Sequence, residues 1–281
     1  MDFKKIKSYA KVNLALNITG KKSSLHKIES IISFIDLYDD ILIKKIKSNK
    51  HKISFYGKFS KNISKENTVL RLLNILEKKK LLKNQNFQIK INKKIPIKAG
   101  LGGGSMNAAN VLKYFLKEKI VKITKKEIIE ICKLIGSDVI LGLNSTNTIL
   151  TSENKIKYFK NCGKINVLIV KPTFGCSTKY IYSKVKKFHS PKFNKPSRRM
   201  FDLNYLKYMR NSLESPAFTH YPKLKNIKKF LDNLSGSIFV RMTGSGSALV
   251  AYFRSKKICE KAKKKFHKKY KNCWSMVSKT I

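Results

Sequence analysis

The 281-residue sequence predicts an α+β chain built in two parts. Three observations carry that prediction. Apolar alternation and β-branched residues dominate from Lys7 to Tyr56, as in a sheet laid down first. Helical periodicity then takes over after Asn67 and again after a glycine cluster at Ala99 to Ala109. Beyond Pro172 the pattern becomes helix, helix, strand, strand, helix, strand, without internal repeat, as expected of a smaller α+β domain.

Taken in order, strands are predicted over Lys7 to Ile18, Glu29 to Leu37, Asp40 to Ile46 and Lys52 to Tyr56, a helix over Asn67 to Leu82, and a strand over Asn86 to Asn92. Pro96 then introduces AGLGGGSMNAA. Gly100, Gly102, Gly103 and Gly104 remove side chains where a backbone turns sharply and approaches something closely. Ala108, Ala109, Val111, Leu112, Phe115 and Leu116 announce a helix immediately afterwards. Free N–H groups at the start of such a helix form an anion site that needs no basic side chain. The segment lacks the Gly-Lys-Ser/Thr ending of a Walker A loop and the spacing of a dinucleotide fingerprint, and a flexible glycine-rich turn is its alternative reading.

The next helix is bounded by local chemistry: Thr124 and Glu127 form a capping box, Gly136 can end it, and Ser137 and Asp138 follow. Strands follow at Thr146 to Leu150 and Ile165 to Val170. In the second part, Pro222 suits the first position of a helix that Gly236 can stop, Ser237 to Met242 and Ala248 to Phe253 read as paired strands, and Ser255 can cap the last helix. Between the paired strands, Thr243-Gly244-Ser245-Gly246-Ser247 is a second glycine turn, either a plain hairpin loop or a ligand contact.

Composition bounds the class. An apolar content of 42% supports a full core, and the formal charge of +46 raises nucleic acid as a partner. Yet lysine is spread over nearly every segment and arginine is confined to positions 71, 198, 199, 210, 241 and 254, which fits compositional drift better than a selected polyanion surface. Runs such as Lys78 to Lys80 and Lys263 to Lys265 then read as solvated helix faces, and no specific nucleic-acid partner is expected. The five cysteines contain no C-x-x-C pair and the five histidines no metal-ligand spacing, so no disulfide framework and no protein metal site are expected. No apolar run approaches membrane-spanning length, and a cytoplasmic protein without a membrane partner is the expectation.

Three segments together resemble the GHMP kinase superfamily: Ser8-Tyr9-Ala10-Lys11-Val12-Asn13-Leu14, Ile95-Pro96 through Ala109, and Met242 to Ser247. Further features, Ile18-Thr19-Gly20 followed by His26, Gly136-Ser137-Asp138-Val139 and Asn211-Ser212-Leu213-Glu214, point to the branch that phosphorylates the 2-hydroxyl of 4-diphosphocytidyl-2-C-methyl-D-erythritol in non-mevalonate isoprenoid precursor synthesis. The resemblance implies a ribosomal-protein-like N-terminal α/β domain over residues 1–160 and a ferredoxin-like C-terminal domain over 161–281. It implies ATP and Mg²⁺ as cofactors, and Lys11 and Asp138 as the catalytic pair. ATP is expected at Pro96, Gly100, Leu101, Gly102, Gly103, Gly104, Ser105 and Asn107, with a helix N-cap as the alternative role of Ser105. Substrate is expected at Asn13, Leu25, His26, Thr178, Thr243, Gly244 and Ser245.

The chain departs from the family pattern at several points. Ser23-Ser24-Leu25-His26 stands where the family has Asp-Gly-Tyr-His, so Leu25 replaces the aromatic residue expected to stack on cytosine. Lys98 and Ala99 stand where relatives often carry glycine, Ile140 where a proline follows the aspartate motif, and Tyr9 where a proline precedes Ala10. Two other readings stay open from the residues: a homoserine- or mevalonate-type kinase of the same superfamily, and a nucleic-acid-binding protein on a ribosomal-type fold.

Overall fold

The computed structural model describes residues 2–23 and 25–281; Met1, and Ser24 in the departing segment, lie outside the described residues. Two compact units emerge: Met1–Ala10, Leu37–Ile97 and Gly102–Ser145 form unit one, and Lys11–Asp36, Lys98–Leu101 and Thr146–Ile281 form unit two. This division differs from a single cut at residue 160, because β1 (Lys4–Lys22) and β2 (Leu25–Ile46) are long enough to serve both units.

In unit one the later half of β2 pairs antiparallel with β4 (Asn86–Asn92), and β3 (Lys52–Tyr56) pairs parallel with β4. Strict alternation in β4 turns Phe87, Ile89 and Ile91 inward. Against them pack α1 (Thr68–Lys78), α2 (Gly103–Lys117) and α3 (Lys125–Ile135), followed by the single turn α4 (Val139–Gly142). Helix α1 buries Val69, Leu72, Leu73 and Leu76, the spacing of one helical face, and Asn67 caps it by accepting from the N–H groups of Val69 and Leu70. The capping box of Thr124 and Glu127 is formed, and Gly136 ends α3.

In unit two the earlier half of β2 pairs with β5 (Asn147–Leu150), which pairs with β6 (Ile156–Phe159). A second, antiparallel sheet has the order β10-β7-β9-β8, from β7 (Asn166–Lys171), β8 (Phe239–Met242), β9 (Leu249–Phe253) and β10 (Trp274–Lys279). Between β7 and β8 come α5 (Thr178–Ser183), a 3₁₀ turn at Arg198–Phe201, α6 (Leu203–Leu206), α7 (Glu214–His220) and α8 (Pro222–Asp232). Between β9 and β10 comes α9 (Lys256–Lys269). A helical connection after the first strand, a hairpin in the middle and a helix before the last strand give the ferredoxin-like arrangement expected. Leu16 and Ile18 of β1 join Leu168, Leu249, Phe253 and Phe266 in its core.

Three local expectations need correction. The strands predicted at Glu29 to Leu37 and Asp40 to Ile46 are one strand, since Asp39 finds hydrogen-bond donors in the chain before Pro96 instead of breaking the ladder. Helix α8 stops at Asp232, and Gly236, at φ 77°, serves the turn that follows. Ser255 occupies the N-cap of α9 without a side-chain capping bond. The short elements α4, β6 and α6 carry too few residues for a periodic signal.

Candidate active site

Within unit two, the first and last motifs are knotted around Asn13. Its backbone N–H donates to Thr243 Oγ1 at 3.1 Å, its Oδ1 accepts from Lys11 Nζ at 2.7 Å and from Gly244 N–H at 3.0 Å, and its Nδ2 donates to Ser30 Oγ at 2.8 Å. Asn13 and Lys11 are both buried, so the amide fixes an ammonium that has little freedom of its own. Asn211 completes the arrangement, donating from Nδ2 to the carbonyls of Met242 at 2.7 Å and Gly244 at 2.8 Å. Below the turn, Arg241 donates to the carbonyls of Leu14, Leu206 and Met209, and Glu214 accepts from Met242 N–H at 2.7 Å. Burial pushes the Glu214 carboxyl up and the Arg241 guanidinium down from their ordinary values.

The part of the glycine segment that belongs to unit two, Lys98 to Leu101, is strung along the same turn. Ser247 N–H donates to Lys98 O at 3.3 Å, Ala248 N–H to Ala99 O at 3.2 Å, and Lys11 N–H to Leu101 O at 3.1 Å. Thr243 Oγ1 donates to Gly100 O at 3.1 Å. Gly100 has φ 72°, and a methyl group there would overlap the Thr243 carbonyl oxygen. Lys98 also adopts a left-handed conformation, at φ 50°.

Thr178 opens α5 and shares a 2.8 Å hydrogen bond with Ser245 Oγ. The His26 ring lies 5.3 Å from that of Tyr182 and 6.3 Å from that of Phe188, whereas Leu25 is 77% exposed. Burial, then the charge of Lys21, holds the His26 imidazole below its ordinary value. Glu29, fully buried, accepts from Asn17 Nδ2 and from the N–H groups of Lys192 and Phe193, which fixes the turn that follows Phe188. Tyr182 and Phe188 lie in no motif; aromatic content after Thr178 is the one sequence signal that marks them.

In unit one, Gly102 is the N-cap of α2, at φ 71°, and makes no side-chain capping bond, which suits the first N–H groups of the helix to an anion. Ser105 is the third helical residue rather than the N-cap. Thr68 Oγ1 donates to Gly104 O at 2.6 Å, and Gly104 itself is exposed. Asn107, expected to border ATP, is buried, and its Nδ2 donates to Asp39 Oδ2 at 3.0 Å. Pro96 is buried just after Ile95, whose N–H also reaches Asp39. Asp138, half-buried, stands at the N-cap position of α4. Among the described residues no group of three metal-ligating side chains occurs, and no helix is long and apolar enough to cross a membrane. A cleft of about 820 Å³ elsewhere in unit two, bordered by Lys164, Arg199, Tyr205, Tyr208 and Arg254, contains none of the expected site residues.

Comparison with known proteins identifies the family and the fold. Residues 67–150 match the GHMP kinases N terminal domain and residues 193–272 the GHMP kinases C terminal domain. The chain is 56% identical over 277 residues to a 4-diphosphocytidyl-2-C-methyl-D-erythritol kinase of Pelagibacter ubique, covering 99% of each chain. It is 32% identical to the enzyme of that name from Clostridium beijerinckii, over 99% of this chain and 100% of the other. Among solved structures, a 4-(cytidine 5'-diphospho)-2C-methyl-D-erythritol kinase superposes with a TM-score of 0.78 at 23% identity, covering 98% of this chain and 99% of that one. The homoserine kinase from Cytophaga hutchinsonii gives 0.72 at 17%, covering 100% and 95%, which speaks for the fold alone.

Proposed function

We propose, from the premise that this chain belongs to the GHMP kinase family and to its 4-diphosphocytidyl-2-C-methyl-D-erythritol kinases, that the residues above divide one phosphoryl transfer among them. The γ-phosphoryl group of ATP moves to the 2-hydroxyl of 4-diphosphocytidyl-2-C-methyl-D-erythritol. A bond forms from the hydroxyl oxygen to the γ-phosphorus, the bridge to the β-phosphate breaks, and ADP leaves. The acceptor is a tertiary alcohol, so a base is needed as attack proceeds, and Asp138 takes its proton. Lys11 stabilises charge on the transferring group. The uncapped start of α2 at Gly102 to Ser105 holds the ATP phosphates, while Gly100, Leu101, Thr243, Gly244 and Ser245 shape the backbone around the reacting groups. Ser105, whose hydroxyl lies in the phosphate turn, would help hold the Mg²⁺ that accompanies ATP, and the ion would supply neutralisation of phosphate charge. His26, Tyr182 and Phe188 supply the flat surfaces that a cytosine ring needs, in place of the aromatic residue absent at Leu25. Thr178 contributes a hydroxyl to the substrate phosphates. The protein works in the cytoplasm and needs no nucleic-acid partner.

One observation carries this reading: the buried Lys11 ammonium is held by Asn13, the residue that also binds the last glycine turn. Such immobilisation suits electrostatic catalysis, which depends on charges already in place. The test is phosphate transfer from ATP with purified protein, offering the diphosphocytidyl substrate, homoserine and mevalonate in parallel. Transfer to the first alone is expected. Asp138→Asn should lower kcat by about 10² or more, with the KM for ATP within a few-fold. Turnover near that of the parent would remove Asp138 from the mechanism, and transfer to homoserine or mevalonate instead would replace the substrate.

A further inference from the structure

Asp39, in the half of β2 that belongs to unit one, is fully buried and fully engaged. Oδ1 accepts from the backbone N–H groups of Lys94 and Ile95, each at 2.8 Å, and Oδ2 accepts from Lys93 Nζ and from Asn107 Nδ2 at 3.0 Å. One carboxylate thereby joins three things: the chain entering the phosphate turn, a buried ammonium, and the helix leaving that turn. The geometry closes around Gly103, the first residue of α2. A methyl group on Gly103 would lie 3.1 Å from Ile95 Cγ2 and 3.3 Å from Lys93 Nζ, so two of the residues that Asp39 fixes press directly on the phosphate turn.

A buried ion pair is a poor device for stability alone, since apolar residues of similar volume often serve as well or better. What it supplies is definition of position. The Asn107 amide shows the same priority. Its Oδ1 is buried with no hydrogen-bond partner among the described residues, a cost accepted while Nδ2 faces Asp39.

We propose that Asp39 is a positioning residue for the ATP phosphate turn, acting through Ile95, Lys93 and Asn107 on the backbone of Gly103 and Gly104. The proposal rests on the reading of Gly102 to Ser105 as that turn. Asp39→Asn should raise the KM for ATP by about tenfold, the scale of one charge-assisted hydrogen bond, while the KM for the alcohol acceptor stays unchanged and kcat falls by less than about threefold. Asn107→Ala removes one donor without stranding the ammonium, and should raise the KM for ATP by several-fold in a protein of nearly parental stability.

The decisive variant is the exchange Asp39→Asn with Asn107→Asp. Asparagine at 39 keeps a carbonyl oxygen for the N–H groups of Lys94 and Ile95, and its amide can donate to the carboxylate now at 107, which also receives Lys93. The double variant should recover an ATP KM within about twofold of the parent. Gly104→Asp, which places a carboxylate at the turn itself, separates the two readings. If it leaves the ATP KM unchanged, the phosphate turn is elsewhere. If it raises that KM while folded Asp39→Asn and Asn107→Ala do not, or while the folded double variant fails to recover, Asp39 is a packing residue only.

Discussion

The two sides of the glycine segment are held by opposite kinds of chemistry. Lys98 to Leu101 is fastened by neutral groups, backbone N–H donors and the Thr243 hydroxyl, against a turn that Asn13 and Asn211 organise. Gly102 to Ser105 begins a helix whose surroundings are set by a charged carboxylate and ammonium. On the first side glycine is required because another backbone touches it. On the second, glycine leaves the start of a helix bare, as the proposed ATP phosphate site there requires. A single run of glycines therefore contains two requirements, and substitution separates them.

Gly100→Ala should have the largest effect. It combines a left-handed backbone with overlap onto the Thr243 carbonyl, so a loss above about 3 kcal/mol is expected in denaturant titration, with activity lost in parallel. A loss below about 1 kcal/mol would break the comparison. Gly104→Ala should instead shift stability by less than about 1 kcal/mol, since alanine favours the helix and the new methyl meets only the Thr68 side chain, with Oγ1 at 3.2 Å. Its expected signature is an ATP KM raised several-fold in initial-rate assays. Lys98→Gly runs the other way: relief of the left-handed backbone, at φ 50°, should add about 0.5 kcal/mol of stability by the same denaturant titration.

The smallest effects distinguish the two units by pH. In unit one His51 accepts the Phe87 N–H at Nδ1, 3.0 Å away, and burial lowers its pKa against the opposing pull of Glu77. The unfolded chain then takes up a proton first, so stability is whole above the ordinary 6.5 and is lost as pH falls through the window below it. In unit two burial raises Glu214 above its ordinary 4.5, so the folded state holds the proton more tightly and stability declines as pH rises through the window above 4.5. Hydrogen exchange at the Phe87 and Met242 amides, corrected for intrinsic rates, should show protection moving in opposite directions. Parallel movement would show that neither group governs its surroundings.

Features with a local cause were legible in the sequence. The capping box at Thr124 and Glu127, the alternation of Asn86 to Asn92, Pro222 at the start of α8 and the paired strands around the second glycine turn each depend on neighbours within a few residues. What escaped depends on partners far along the chain. Nothing near Asp39 says that a strand runs through it, because its donors lie more than fifty residues later. Asn107 reads as part of a loop motif until the carboxylate facing it is known. Tyr182 and Phe188 become candidates only once the fold carries them to His26, and the two-unit division is invisible because β1 and β2 look like ordinary strands of one sheet.

That sharing of β1 and β2 sets a schedule for synthesis. Residues 37–97 and 102–145 hold most of unit one and emerge as nearly continuous chain, so its core can close early. Leu16 and Ile18 must wait for Leu168, Leu249 and Phe266. At about 5–20 residues per second the delay on a ribosome is roughly 10 to 50 s, far longer than the microseconds in which a free apolar segment finds alternative contacts. The interval between the first strand and its late partners is where the nascent chain is most exposed to aggregation, and where a chaperone bound to residues 11–36 has the most to protect.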